Sequence, residues 1–112
     1  MRLTILGTSA TMPTKKRNHG AYFLRYKNEG MLFDCGENTQ RQLRTAGISF
    51  SKITKIFLSH WHGDHMLGLP GLLQSMAMNE YTKQLKIYGP PGSKQKYKKL
   101  LEAFESDRKS VV

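Results

Sequence analysis

Apolar positions along this chain come in short runs whose period changes from strand-like to helix-like and back. Residues 2–6 form a brief apolar run stopped by Gly7, which predicts a strand. Residues 21–26 alternate, and residues 31–35 are a more apolar run. Lys27-Asn28-Glu29-Gly30 lies between them and predicts a hairpin turn, with Asn28 and Gly30 suited to positive φ. Gly36 ends the second of these strands. Asn38 or Thr39 can cap a helix running to about Ala46, and Gly47 is its stop. Residues 53–59 predict another strand. Leu69, Leu72, Leu73 and Met76 recur at spacings of three and four, the signature of a one-sided helix. Residues 85–88 predict a strand closed by Gly89-Pro90-Pro91-Gly92. Ser93 caps a last helix to about Glu105, with Tyr97, Leu100, Leu101 and Phe104 on its buried face. Residues 109–112 show no pattern. No repeat, low-complexity tract or interior linker interrupts the series.

Strands dominate the first part, and helices then alternate with strands. That order predicts a layered α/β fold with a mixed β-sheet and flanking helices. A chain of 112 residues is ordinary for one domain and buries roughly 65% of its unfolded surface. No apolar run approaches the ~20 residues of a membrane span, and the start lacks the apolar core of a signal peptide. Cys35 is the single cysteine, so an intrachain disulfide is excluded, in keeping with a reducing, cytoplasmic setting. No histidine follows it at a recognisable spacing, so Cys35 reads as a small buried residue rather than a catalytic thiol.

Charge changes the picture. Eighteen Lys and Arg stand against eight Asp and Glu, a formal net charge of +10 that favours polyanionic partners. The densest cluster is Lys15-Lys16-Arg17, in a loop over residues 7–18 rich in Gly, Ser, Thr and Pro. From composition alone it is as easily a solvated loop as a phosphate grip. Lys94, Lys96, Lys98 and Lys99 read first as a solvated helix face.

Three of the four histidines fall within six residues, His60-Trp61-His62-Gly63-Asp64-His65, directly after the apolar run Ile56-Phe57-Leu58. Imidazole and carboxylate are zinc's preferred nitrogen and oxygen ligands. On a loop at a strand end, His60 and His62, two apart, can face one side. Asp64 and His65 can turn toward a second position, with Gly63 supplying backbone freedom. The spacing suggests two metals side by side. Asp34, at the end of the preceding strand, is a candidate to support such ligands by accepting a histidine N–H.

The hexapeptide His60 to His65 resembles the metal-binding signature of the metallo-β-lactamase superfamily. Leu6-Gly7-Thr8-Ser9, Pro13 through Asn18, Phe33 through Gln40 and Ser59 through Leu69, in that order, narrow the resemblance to the N-terminal part of the ribonuclease Z (tRNase Z) family. The resemblance implies the first half of an αββα sandwich, with residues 1–112 the N-terminal part of a single metallo-β-lactamase-like domain. It implies Zn²⁺, two ions per complete site, with His60 and His62 on one and Asp64 and His65 on the other. Asp64 takes the proton-acceptor role. Pro13, Lys15 and Arg17 match a Pro-x-Lys-x-Arg loop that helps place the tRNA 3′ end. The implied substrate is precursor tRNA, cut to leave a 3′-hydroxyl on the tRNA and a 5′-phosphate on the trailer, by a homodimeric cytoplasmic enzyme. Family members more often carry glycine at the position of Asn38, and asparagine also tolerates positive φ. The family draws further ligands from later segments, and no histidine follows His65 here. The chain is therefore expected to be part of a longer enzyme, to be weak or inactive alone, and to expose apolar surface that the remainder would cover. Another phosphodiesterase of the same fold, or a non-catalytic tRNA-binding or subunit-contact piece, are the alternatives.

Overall fold

The computed structural model describes residues 1–7, 21–59, 61, 66–79, 81 and 83–103. Five strands form one mixed sheet in sequence order: β1 (Arg2–Gly7), β2 (Ala21–Tyr26), β3 (Glu29–Phe33), β4 (Lys55–Phe57) and β5 (Lys86–Tyr88). The pairs β1/β2 and β2/β3 are antiparallel, and β3/β4 and β4/β5 are parallel. Helices α1 (Thr39–Thr45) and α2 (Leu69–Met78) lie in the β3–β4 and β4–β5 connections, and α3 (Ser93–Ala103) follows β5. The expected mixed sheet with flanking helices is present.

Local chemistry sets the element ends, and several differ from expectation. The β2–β3 hairpin turns on Lys27 and Asn28, since Tyr26 already pairs with Glu29. Positive φ falls on Lys27 (56°), not on Asn28 or Gly30. Gly30 is needed for another reason: a Cβ there would lie 1.9 Å from the Lys52 carbonyl oxygen. That carbonyl belongs to a single 3₁₀ turn, Phe50–Lys52, whose N-cap Ser49 accepts from the Ser51 N–H. The turn ends just before the expected strand over 53–59, and the regular strand is shorter than expected. The ladder nevertheless extends past β4, because Thr54 N–H donates to the Gly30 carbonyl (2.8 Å) and Leu58 N–H donates to the Tyr88 carbonyl (2.8 Å).

Asn38 precedes α1 at φ 70° and makes no side-chain cap, and the Thr39 hydroxyl turns back to donate to the Gly36 carbonyl at 2.6 Å. Gly47 stops α1 as expected. At φ 74° it donates to the Arg44 carbonyl while Ile48 N–H reaches the Leu43 carbonyl, the paired bonds of a Schellman ending. Pro70 is tolerated in the first turn of α2, where its missing N–H is not needed. Ser93 begins α3 without the expected capping role; its hydroxyl is used elsewhere. Phe104 and Glu105 lie outside the described residues.

Strand register sorts the side chains into two faces. Phe23, Leu32, Ile56 and Ile87 are cross-strand neighbours, all buried, and form one core with Leu43 of α1, Leu69, Leu72, Leu73 and Met76 of α2 and Tyr97 of α3. The opposite face carries the row Ile5–Tyr22–Phe33–Phe57–Tyr88 across all five strands. Phe33, Phe57 and Tyr88 stack at centroid separations of 5.0 and 4.9 Å. Ile5 is nonetheless 61% exposed and Tyr88 43% exposed, so this apolar face is open, in line with the expected uncovered surface.

The Gly30 contact makes a sharp test. Gly30→Ala should destabilise the fold by about 2–3 kcal/mol, because the clashing partner is backbone and cannot rotate away. A urea denaturation midpoint equal to that of the unsubstituted chain would refute the close approach.

Candidate metal site and its framework

Because β3, β4 and β5 run parallel, their C-terminal ends share one edge of the sheet. That is the edge where open α/β sheets place their chemistry. The candidate ligands His60, His62, Asp64 and His65, and the candidate substrate-binding residues Lys15 and Arg17, lie outside the described residues. Among the described residues no group of three or more His, Cys, Asp and Glu converges. What the structure places is the framework that delivers the histidine-rich loop, residues 60–67.

Three contacts hold that loop. Asp34 follows β3 at φ 62°, a left-handed conformation that Asp adopts more readily than most residues. Its own N–H donates to the Phe57 carbonyl at 2.7 Å, closing the end of the β3–β4 ladder. Its carboxylate accepts the Ser59 N–H at 2.8 Å and the Ser59 hydroxyl at 3.0 Å, directly before His60. At the other end of the loop, Gly68 N–H donates to the Cys35 carbonyl at 2.9 Å. A Cβ on Gly68 would stand 2.1 Å from the Gly36 carbonyl oxygen, so only glycine fits this return. The corner 34–36 thus holds both ends of the loop. Just inside the loop's start, the Trp61 indole N–H donates to the Ser93 hydroxyl at 2.8 Å, and that hydroxyl donates to the Pro90 carbonyl at 2.6 Å.

Cys35 sits inside this corner, fully buried. Burial pushes its thiol up to about 12, outweighing the opposing hydrogen bond with Thr39. It stays a protonated thiol at neutral pH, which agrees with its reading as a packing residue. Of the residues singled out from sequence, the structure brings Asp34 against Ser59, on the threshold of the loop. Gly68, Trp61 and Ser93 are framework residues that sequence reasoning missed. A tryptophan between two histidines is a signal for Trp61; nothing local marks its partner Ser93.

Three imidazoles and one carboxylate, crowded into six residues of one segment whose two ends are pinned, are chemically suited to zinc. Through Ser59, Asp34 holds the backbone that leads into the candidate ligands.

A family model described as anti-Pycsar protein Apyc1 matches residues 1–109. The chain is 55% identical over 92 residues to ribonuclease Z of Methanothermobacter thermautotrophicus, covering 82% of this chain and 30% of that protein. It is 49% identical over 100 residues to ribonuclease Z of Nanoarchaeum equitans, covering 89% and 32%. The chain therefore spans about a third of the length of these curated relatives. The crystal structure of human tRNase Z, short form, superposes with a TM-score of 0.84 at 40% identity, over 94% of this chain and 41% of that one. The metallo-β-lactamase fold protein YhfI of Bacillus subtilis superposes with a TM-score of 0.76 at 23% identity, over 87% and 39%, a likeness of fold alone. The fold is thus the metallo-β-lactamase fold expected from the sequence.

Asp34→Ala removes the carboxylate that Ser59 donates to and leaves a β-carbon at positive φ with no compensating hydrogen bond. The fold should lose about 2–3 kcal/mol, and amide exchange should accelerate first at Ser59. Unchanged protection of the Ser59 amide would show that the loop entry is held by something else.

Proposed function

This chain belongs to the anti-Pycsar protein Apyc1 family, and from its likeness to ribonuclease Z we propose that it carries the metal-loop portion of a zinc-dependent endoribonuclease that removes 3′ trailers from precursor tRNA. The observation that carries this reading is the high identity to proteins named ribonuclease Z across the very segment that frames the loop. Residues 1–112 are then the N-terminal part of a single metallo-β-lactamase-like domain.

In this proposal His60 and His62 hold one zinc ion, and Asp64 and His65 hold the other. Bound zinc supplies a lowered water pKa, toward ~7, and offsets charge on the phosphodiester. Asp64 accepts the proton of the attacking water and orients it. Asp34, through Ser59, fixes where the ligand loop begins, and Trp61 on Ser93 stops the loop from swinging. Lys15 and Arg17 receive the tRNA 3′ end, the guanidinium gripping phosphate bidentately and the lysine as a point charge. Two ligands per ion leave each tetrahedral site to be completed by donors from elsewhere. The products are a tRNA 3′-hydroxyl and a 5′-phosphorylated trailer. The enzyme works as a cytoplasmic homodimer; among the described residues no helix is long and apolar enough to cross a membrane.

A second reading is favoured by one observation: the matching family model is named for an anti-Pycsar protein and not for a nuclease. On that reading the same loop serves another phosphodiesterase of this fold. Precursor tRNA and a small chromogenic phosphodiester separate the two.

The full-length zinc-loaded protein should cut precursor tRNA after the discriminator nucleotide. Asp64→Asn should lower the rate by roughly 10³-fold while tRNA affinity changes little. Full cleavage by both Asp64→Asn and Asp64→Ala would remove Asp64 from its role, and cleavage of the small diester alone would favour the second reading.

A further inference from the structure

A cation-lined groove lies at the end of the sheet opposite the metal loop. It consists of two adjoining cavities of about 460 and 410 Å³ that share Ile48 and Ser49. Arg2, Arg25 and Lys52 line the first, and Arg44 and Lys83 line the second; among the described residues no carboxylate lines either. Among the described residues the only ion pair joins Lys55 to Glu29, and neither lines the groove.

Exposed cations are usually solvated and need no ligand. Three features distinguish these. Arg2 and Arg25 stand directly opposite each other in the β1–β2 register, a like-charge pairing that destabilises a sheet. Arg44 is held over the Phe50 ring at 5.5 Å, and the Lys83 ammonium is tied to the Ser51 carbonyl at 2.9 Å, so two of the five charges are fixed in place. The hydroxyl of Ser49, which lines both cavities, lies 2.9 Å from that of Ser51, which lines the second. Fixed cations beside hydroxyl groups are the pattern that meets phosphate oxygens in nucleic-acid complexes. A lipid surface is flat, whereas these charges line concavities.

We infer that the groove formed by Arg2, Arg25, Lys52, Arg44 and Lys83 binds the sugar–phosphate backbone of RNA, away from the site of cleavage. From Lys52 to Ser59 the chain runs along β4, so groove and loop are separated by roughly 20 Å at about 3.3 Å per residue. The inference rests on the substrate class proposed above and adds a second contact to it, and binding to the groove needs neither metal nor cleavage.

The test is fluorescence anisotropy of labelled precursor tRNA with the chain in excess chelator, across a salt series. Arg25→Gln, Lys52→Gln and Arg44→Gln combined should weaken binding about tenfold at ~100 mM salt and reduce the salt slope by roughly two to three, at about 0.9 for each phosphate that is no longer neutralised. The matched control is Lys94→Gln, Lys96→Gln and Lys98→Gln on the exposed face of α3, which removes the same charge. Thermal melts confirm that both variants are folded. A clearly larger loss of affinity for the groove variant supports the site. Equal losses, or no loss, overturn it and leave the nuclease reading untouched. Groove-dependent binding to anionic phosphatidylserine vesicles without groove-dependent RNA binding overturns it too. Absence of cleavage by the full-length protein would sink the nuclease reading and leave this result standing.

Discussion

The Asp34 carboxylate on Ser59 is the interaction on which the functional edge depends. It lets one short corner serve two purposes. The Asp34 N–H completes the parallel ladder to β4, and the side chain fixes the residue at which the ladder gives way to the loop. The same corner accepts the returning chain at Gly68, against a backbone so close that no side chain fits. A loop carrying several ligands must hold each near its working position, and loops do so poorly unless their ends are fixed. Here the ends are fixed by backbone and by one carboxylate, and the first of them also by a tryptophan bonded to the next strand–helix turn. Burial of Cys35 and the Thr39 hydroxyl on Gly36 brace the corner from beneath.

The sheet explains why the corner can be so short. Parallel β3, β4 and β5 bring three chain ends to one edge, so residues distant in sequence meet there without long connections. All the helices contribute to a single core on one side of the sheet. The other side presents an aromatic row, stacked yet partly in solvent. The lysines of β4 and β5, Lys55 and Lys86, continue the neighbouring row on that side. The arginines at positions 2 and 25 and the cations flanking the 3₁₀ turn gather at the end of the sheet opposite the C-terminal ends of the parallel strands.

Much of this is legible in the sequence because it rests on local periodicity. The runs at 21–26 and 31–35, the α2 stripe Leu69, Leu72, Leu73 and Met76, and the stop at Gly47 all express spacing or backbone freedom that a few neighbouring residues determine. The candidate ligands are proposed from sequence for a similar reason, crowded as they are into six residues. What is not legible depends on partners far along the chain. Asp34 meets Ser59 across 25 residues, and Trp61 meets Ser93 across 32. Gly30 reads locally as a turn glycine; only the approach of Lys52 shows that it is a packing glycine. Ser93 reads as a helix cap because serine before a helical run usually is one, but its hydroxyl is committed to Trp61 and Pro90. The regular strand is shorter than the apolar run over 53–59 suggests, and the 3₁₀ turn ending at Lys52 carries no strong turn residues to announce it.

On the proposed function, the loop after β4 binds metal and is held ready by its framework. Zinc uptake by the folded chain, titrated against a chromophoric chelator, tests it most directly. The comparison is a variant combining His60→Ala, His62→Ala and His65→Ala. The account predicts uptake by the unsubstituted chain that disappears in the variant while the fold persists. Equal uptake by both would contradict it, because the metal would then be bound somewhere other than the loop that Asp34, Gly68 and Trp61 hold.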